Sequence, residues 1–325
     1  MTVDPEIRRL EALAKPHGKA PTEPAAWRAQ ALEIDQRLAA EAYAEAPDAW
    51  TEDVTIPCPG PDLHLRLYRP PSWRDGRPRP RGAYLAFFGG AFRQGSLDFP
   101  GVDRAWRARA VRADILVVGV DYALAPEYPY PTAAEQGYAA LTWLADHAPS
   151  LGATAGRLAV GGMSSGGNLA AATALMARDR GGPQIDLQVL EVPALDLTGR
   201  HLNLRAGRGL GIPPVLVKLG LRGVAKAYLG PQPRAKLREP YASPLLAPDL
   251  AGLPPALILT AQHDLLRGDG EAYANRLRDA GVDTTAITYL GHTHASSFFT
   301  AALASSRHWQ STVESALAQA LSPIP

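Results

Sequence analysis

Residues 159–168 read AVGGMSSGGN, two adjacent serines between two pairs of glycines. The apolar Leu158-Ala159-Val160 precedes them, and the helix-forming run LAAATALMAR follows at 169–178. A strand that enters a helix through a glycine-rich turn is where G-x-S-x-G folds as a sharp elbow. Small residues two before and two after the serine let backbone pass close by, so the hydroxyl is held out at the helix N-terminus. In Gly162-Met163-Ser164-Ser165-Gly166 only Ser164 is in that register, because Met163 stands two positions before Ser165. Gly162 to Gly167 also has phosphate-loop spacing, but Asn168 follows where that motif needs lysine.

Working outward, short apolar runs at 83–88, 114–120, 157–161, 187–192, 256–260 and 284–289 alternate with helical segments. This alternation predicts βαβ units and a mostly parallel sheet buried on both faces. Strands are expected earlier at 53–56 and 63–68, and a Pro/Arg-rich surface loop at 70–82. Trp27, Ala31, Ile34 and Leu38 recur at helical spacing, which predicts a helix over 22–44 whose apolar face has something to cover. Between the fourth and fifth runs of the series lies an excess of roughly 40 residues, 201–240, whose apolar content points to a lid. The expected organisation is an α/β core at 49–196 and 241–325, a cap insertion at 197–240, and N-terminal helices at 1–48 contributing to the cap.

Composition narrows the function classes. At 325 residues with 46% hydrophobic residues the chain can bury a large core. Lys and Arg (33) balance Asp and Glu (32), and the basic residues read as scattered, so neither nucleic acid nor a membrane is expected as a partner. Residues 1–9 contain no apolar stretch, and no later run approaches the roughly 20 residues of a membrane span. A cytoplasmic protein is expected, with a homodimer left open. The single cysteine, Cys58, excludes an internal disulfide and reads as a packing residue in the strand-like VTIPCPG at 54–60.

A serine hydroxyl needs a base to take its proton and a third group to orient that base. His17, His64, His147, His201 and His308 fall in helices, a strand or the insertion, where solvated or packed roles are expected. His292 and His294 lie in GHTHASS, just after the last predicted strand, and Asp264 lies in AQHDLLRGDG after the preceding one. In an open parallel sheet reactive groups collect at such carboxyl ends. Ser164, Asp264 and His294 thus follow the order nucleophile, acid, base of the α/β-hydrolases. A metal pair at His292 and His294 lacks further ligands. Asp269, the rival acid in GDG, reads as a solvated or capping residue.

These blocks resemble the hormone-sensitive-lipase-like branch of the α/β-hydrolases, which holds bacterial carboxylesterases and acetyl hydrolases. The resemblance spans roughly residues 60–300. DYALAPEYPYP at 121–131 looks like that branch's DYRLAPExPxP, and 162–170 looks like its GDSAGGNLA elbow. Ser243-Pro244 and LPPALILTAQHDLLR at 253–267 look like its acid-bearing segment. Gly291 and His294 match the closing G-x-x-H-G-F motif, which selects His294 over His292. The family's H-G-G-G-F/W loop is here Phe88-Gly89-Gly90-Ala91-Phe92.

The resemblance implies an α/β-hydrolase fold with a helical cap and an oxyanion hole made by the N–H groups of Gly90, Ala91 and Ser165. It also implies substrate contacts from Phe88, Gly89 and Phe92, and no metal or organic cofactor. The implied reaction is hydrolysis of a small-molecule carboxylic ester of short to medium acyl chain through an acyl-enzyme. Phe88 in place of histidine, Ala123 of arginine, Met163 of aspartate and Ala295 of glycine depart from the pattern. They keep a second reading open, in which the same site serves acyl transfer, lactonisation or elimination in biosynthesis. A ligand-binding protein without catalysis is disfavoured by the intact triad.

Overall fold

In the computed structural model, which describes residues 2–15, 21, 23–73, 81–209 and 213–322, the apolar runs form one eight-stranded sheet. Its strands are β1 (Trp50–Ile56), β2 (Leu63–Arg69), β3 (Ala83–Phe87), β4 (Leu116–Asp121), β5 (Leu158–Met163), β6 (Leu187–Glu191), β7 (Ala256–Ala261) and β8 (Thr284–Tyr289). Every residue of β3, β5, β6 and β7 is buried, as expected where helices cover both faces. The edge strands β1 and β8 are mostly half-buried or exposed. The spatial order is β1-β2-β4-β3-β5-β6-β7-β8, and β2 alone runs against its neighbours.

The chain winds outward in both directions from β3, whose Phe87 pairs with Val120 of β4 on one side and Gly162 of β5 on the other. A crevice at the carboxyl ends of β3 and β5 follows from this reversal, and it is where open α/β sheets hold their ligands.

Ten helices accompany the strands among the described residues: α1 (Pro5–Leu13), α2 (Pro24–Glu41), α3 (Pro100–Ala113), α4 (Thr132–His147), α5 (Ser165–Asp179), α6 (Leu204–Gly209), α7 (Pro214–Leu229), α8 (Pro233–Lys236), α9 (Arg267–Asp279) and α10 (Ala304–Ala320). None is long and apolar enough to cross a membrane. The helix α5 that follows the serine is buried continuously from Ser165 to Ala177. Its glycines and alanines allow the close approach to the sheet that bulkier residues would prevent.

Several boundaries differ from expectation for local reasons. Asp114 does not begin β4; it ends α3 in a left-handed conformation (φ 55°) with its N–H on the Ala110 carbonyl. Strand β1 starts at Trp50 because Trp50 pairs with Arg69, whose guanidinium lies 4.7 Å from the indole ring. Cys58 is not in a strand but in the turn between β1 and β2, with its thiol 3.3 Å from the Pro61 carbonyl. Of the expected surface loop, 71–73 form a single 3-10 turn; 74–80 lie outside the described residues, as do His17, Thr22 and 210–212 of the insertion.

The N-terminal helices have their own small core, in which Ile7, Leu10, Leu38 and Tyr43 pack with Phe299 and Leu303. Arg28 fastens α2 to the loops after β3 and β4 by donating to the carbonyls of Arg93 (2.9 Å) and Ala125 (3.2 Å) while pairing with Glu127 at 2.6 Å. In the insertion, Tyr228 stacks on Phe92 with centroids 3.7 Å apart and planes 9° apart. The insertion also overturns the expected scatter of basic residues. Residues 197–240 hold nine Lys and Arg against one carboxylate, Glu239, in a chain whose total charge is +1.

Candidate active site

Strand β5 delivers Ser164 to the crevice through a turn that only small neighbours permit. Ser164 sits at φ 58°, ψ −117°, a conformation costly for an L-residue, with its N–H on the Glu191 carbonyl at 2.9 Å. A Cβ on Gly166 would lie 2.2 Å from the Phe87 carbonyl oxygen, and one on Gly162 would lie 2.5 Å from the same oxygen. The glycines flanking the serine are therefore steric requirements of the elbow. Asn168 secures the following helix by donating to the carbonyls of Ala194 (2.7 Å) and Ala242 (3.0 Å).

The loop after β8 brings His294 to this serine, and the loop after β7 brings Asp264 to the histidine. Nε2 of His294 is 2.9 Å from Ser164 Oγ, and Nδ1 is 2.7 Å from Asp264 Oδ2. With Nδ1–H donated to the carboxylate, Nε2 is free to accept the serine hydroxyl. Asp264 is buried, and its other oxygen accepts the Leu266 N–H at 2.9 Å. Burial alone would lower the imidazole pKa, but the charge and hydrogen bond of Asp264 lift it above the ordinary 6.5.

His292 points elsewhere. It is buried, with its two nitrogens on the hydroxyls of Ser296 and Ser305, each at 2.8 Å. Among the described residues no three His, Cys, Asp or Glu side chains converge as metal ligands. Asp269 corrects the expectation of a solvated or capping residue. It is 1% exposed inside α9, and its Oδ2 accepts the N–H groups of Leu195 and Asp196, both at 2.9 Å. Burial pushes its carboxyl up to about 7.

The loop after β3 turns tightly beside the elbow. Gly90 (φ 148°), Ala91 (φ 53°) and Phe92 (φ 62°) follow one another at positive φ, and the Gly90 carbonyl accepts the N–H groups of Arg93 and Gln94. Two L-residues in the left-handed region are a strained arrangement. Among the described residues the N–H groups of Gly90, Ala91 and Ser165 have no protein acceptor.

Phe88 is buried and stacks on Tyr122 with centroids 4.3 Å apart, while the Tyr122 hydroxyl donates to the Phe88 carbonyl at 3.0 Å. A cavity of about 850 Å³ opens over Ser164 and His294. Its walls include Trp27, Ile34 and Leu38 of α2 together with Phe88, Gly89 and Phe298. Phe92 is not part of that wall: its ring is turned away and buried against Tyr228.

A family model described as the alpha/beta hydrolase fold matches residues 84–298. The chain belongs to the α/β-hydrolase family. This α/β-hydrolase is 40% identical over 238 residues to esterase LipI of Mycobacterium tuberculosis, covering 73% of the chain and 71% of the relative. It is 37% identical over 272 residues to an arylesterase of Saccharolobus solfataricus, covering 82% and 84%. Among solved structures it is similar to a hyperthermophilic esterase from the archaeon Pyrobaculum calidifontis, with TM-score 0.84, 34% identity, and 98% of this chain and 99% of that one covered.

Sequence reasoning missed two parts of this α/β-hydrolase site. Tyr122, which holds the Phe88 loop by ring and hydroxyl, stands inside DYALAPE, a block that was informative for resemblance and silent about contact. The buried pair Arg109–Glu191 (2.7 Å) lies beneath the elbow, where Trp309 Nε1 donates to the second Glu191 oxygen at 2.8 Å. A glutamate ending an apolar strand and an arginine in an arginine-rich helix carry no local signal that they will meet.

Proposed function

We propose that this α/β-hydrolase cleaves carboxylic esters of short to medium acyl chain through an acyl-enzyme on Ser164. The observation that carries the reading is the continuous hydrogen-bonded line from Ser164 Oγ through the His294 ring to Asp264, at 2.9 and 2.7 Å, on the wall of an apolar cavity. Ser164 Oγ attacks the ester carbonyl as His294 Nε2 takes its proton, and Asp264 holds the imidazole in the tautomer this requires. The N–H groups of Gly90, Ala91 and Ser165 receive the negative oxygen of the tetrahedral intermediate. His294 then returns the proton to the leaving alcohol, and water repeats the sequence to release the acid. The relatives' names, arylesterase and esterase, support the same chemistry.

We assign the wall formed by α2 to a cap made from residues 1–48, with 197–240 as its second part. The second part reaches the oxyanion loop through Tyr228 on Phe92, behind the cavity. Phe88 and Gly89 contact the substrate in this reading, and Phe92 supports the loop from behind. Turnover of a p-nitrophenyl ester series from acetate to decanoate tests the proposal. Activity concentrated on the shorter chains and absent from Ser164→Ala is expected; a Ser164→Ala protein as active as the unaltered one would overturn it.

A further inference from the structure

The cationic residues of 197–240 are gathered in space as well as in sequence. Outside that segment the chain has 24 Lys and Arg against 31 Asp and Glu, so the two parts of the molecule carry opposite net charge. Within the segment a cleft of about 750 Å³ opens between the 197–204 turn, α7 and α8. Arg200, Lys218, Arg222, Lys226 and Arg234 border it, all exposed, and no carboxylate lines it. Among the described residues none of the five has a carboxylate oxygen within 4 Å, whereas Arg28, Arg66, Arg157 and Arg180 elsewhere on the molecule each pair with one. Asp196, next to the cleft in sequence, is buried and already accepts from Thr198, the Arg200 N–H and the His201 ring.

The floor of the cleft has the opposite character. Leu197 is almost fully buried there, and Leu202, Leu221 and Leu237 are half-buried around it. Five like charges held around one concavity repel each other, and an anion among them removes that cost. Apolar surface beneath them gains only when something apolar covers it. One ligand meets both conditions: an alkyl chain on the leucines with an anionic head among the Lys and Arg groups. The volume lies within the about 300–1,000 Å³ of small-molecule sites. The walls of this cleft share no residue with the cavity over Ser164.

We infer that the cleft between the 197–204 turn and α7–α8 is a second binding site, separate from the catalytic cavity, for a single-chain anionic amphiphile such as an alkyl phosphate or a fatty carboxylate. The head group is shared by both, so the test uses both. Calorimetric titration of the full chain at low salt, with decyl phosphate and with decanoate below their aggregation concentrations, should show one saturable site. Inorganic phosphate should bind at least about tenfold more weakly, because it leaves the leucine floor uncovered.

In Arg222→Glu/Lys226→Glu that site should weaken by about tenfold or more, with thermal unfolding and p-nitrophenyl acetate turnover retained. Arg200→Gln/Arg234→Gln approaches the cleft from its other walls and should weaken it likewise, should the first variant not fold. Equal binding by both folded variants would overturn the site. So would equal binding of decyltrimethylammonium, which would mark an apolar surface only, or equal binding of inorganic phosphate, which would mark a loose anion patch. Binding of phosphatidylglycerol vesicles or of DNA without binding of decyl phosphate would overturn it in favour of a macromolecular partner.

Discussion

Tyr122 holds Phe88 twice, by a ring stack at 4.3 Å and by a hydroxyl that donates to the Phe88 carbonyl at 3.0 Å. This is how the loop after β3 keeps its shape without the histidine the family places there, since phenylalanine offers the neighbouring backbone no hydrogen bond. Phe88→Ala removes the stack and should lower kcat on a short aryl ester by about 10²-fold, the scale of losing one aligned oxyanion donor. Tyr122→Phe keeps the stack and should cost less than about tenfold. Ala91→Gly, which relieves a strained φ of 53°, should also change kcat by less than about tenfold. Steady-state kinetics beside thermal unfolding separates these effects; an unaltered kcat in a folded Phe88→Ala protein would show that the loop does not depend on this packing.

The charge on Asp264 should be visible in the pH dependence. His294 must be neutral to accept the serine proton, and its pKa is raised above 6.5 by Asp264 against the lowering effect of burial. The acid limb of kcat/KM should therefore fall off through a value above 6.5. In Asp264→Asn the raising partner is gone while burial remains, so the limb should move to lower pH and kcat should drop by about 10⁴-fold. An acid limb unmoved by that substitution would assign the titration to another group.

Asp269 should act on stability rather than on turnover. Its carboxyl is raised from 3.8 to about 7, so the folded chain keeps a proton that the unfolded chain releases. The stability it contributes is complete below about pH 4 and is lost as pH rises through about 7. Asn cannot titrate, yet its amide oxygen can accept the Leu195 and Asp196 N–H groups. The fall in Tm between about pH 5 and about pH 8 should thus be smaller in Asp269→Asn, with kcat within about tenfold of the unaltered protein. A rate loss as large as that of Asp264→Asn would make Asp269 part of the proton relay.

How far the sequence could be read follows from the range of each signal. Strands buried on both faces announce themselves as apolar runs, and β7, expected at 256–260, runs from Ala256 to Ala261. The elbow was legible because a strand, two pairs of glycines and a helix are adjacent in the chain. Asp269 was misread because its partners, Leu195 and Asp196, are more than seventy residues away and nothing in GDG foretells them. The whole-chain charge of +1 concealed a basic insertion set against an acidic remainder. Asp114 was lost at a boundary, where one residue in the left-handed conformation separates helix from strand.

Deleting residues 1–45 should uncover both the cavity wall of Trp27, Ile34 and Leu38 and the surface of Phe299 and Leu303 that Ile7 and Leu10 cover. An exposed apolar patch of roughly several hundred Å² favours association, so poor solubility and lost activity are expected. A soluble truncated chain with unchanged preference among ester chain lengths, measured on the p-nitrophenyl series, would remove these helices from the cap.

The central claim is that Ser164 forms the covalent intermediate of ester hydrolysis. Reaction with a p-nitrophenyl alkylphosphonate, followed by intact-mass and fragmentation analysis in parallel with residual esterase activity, tests it most directly. One adduct per chain is expected, carried by Ser164 and not by Ser165, with activity falling in proportion to labelling. Ser164→Ala should take up no label and lose roughly six orders of magnitude in turnover, the loss seen when a triad works as a unit. An adduct on Ser165, or full esterase activity in a chain fully labelled at Ser164, would contradict the account.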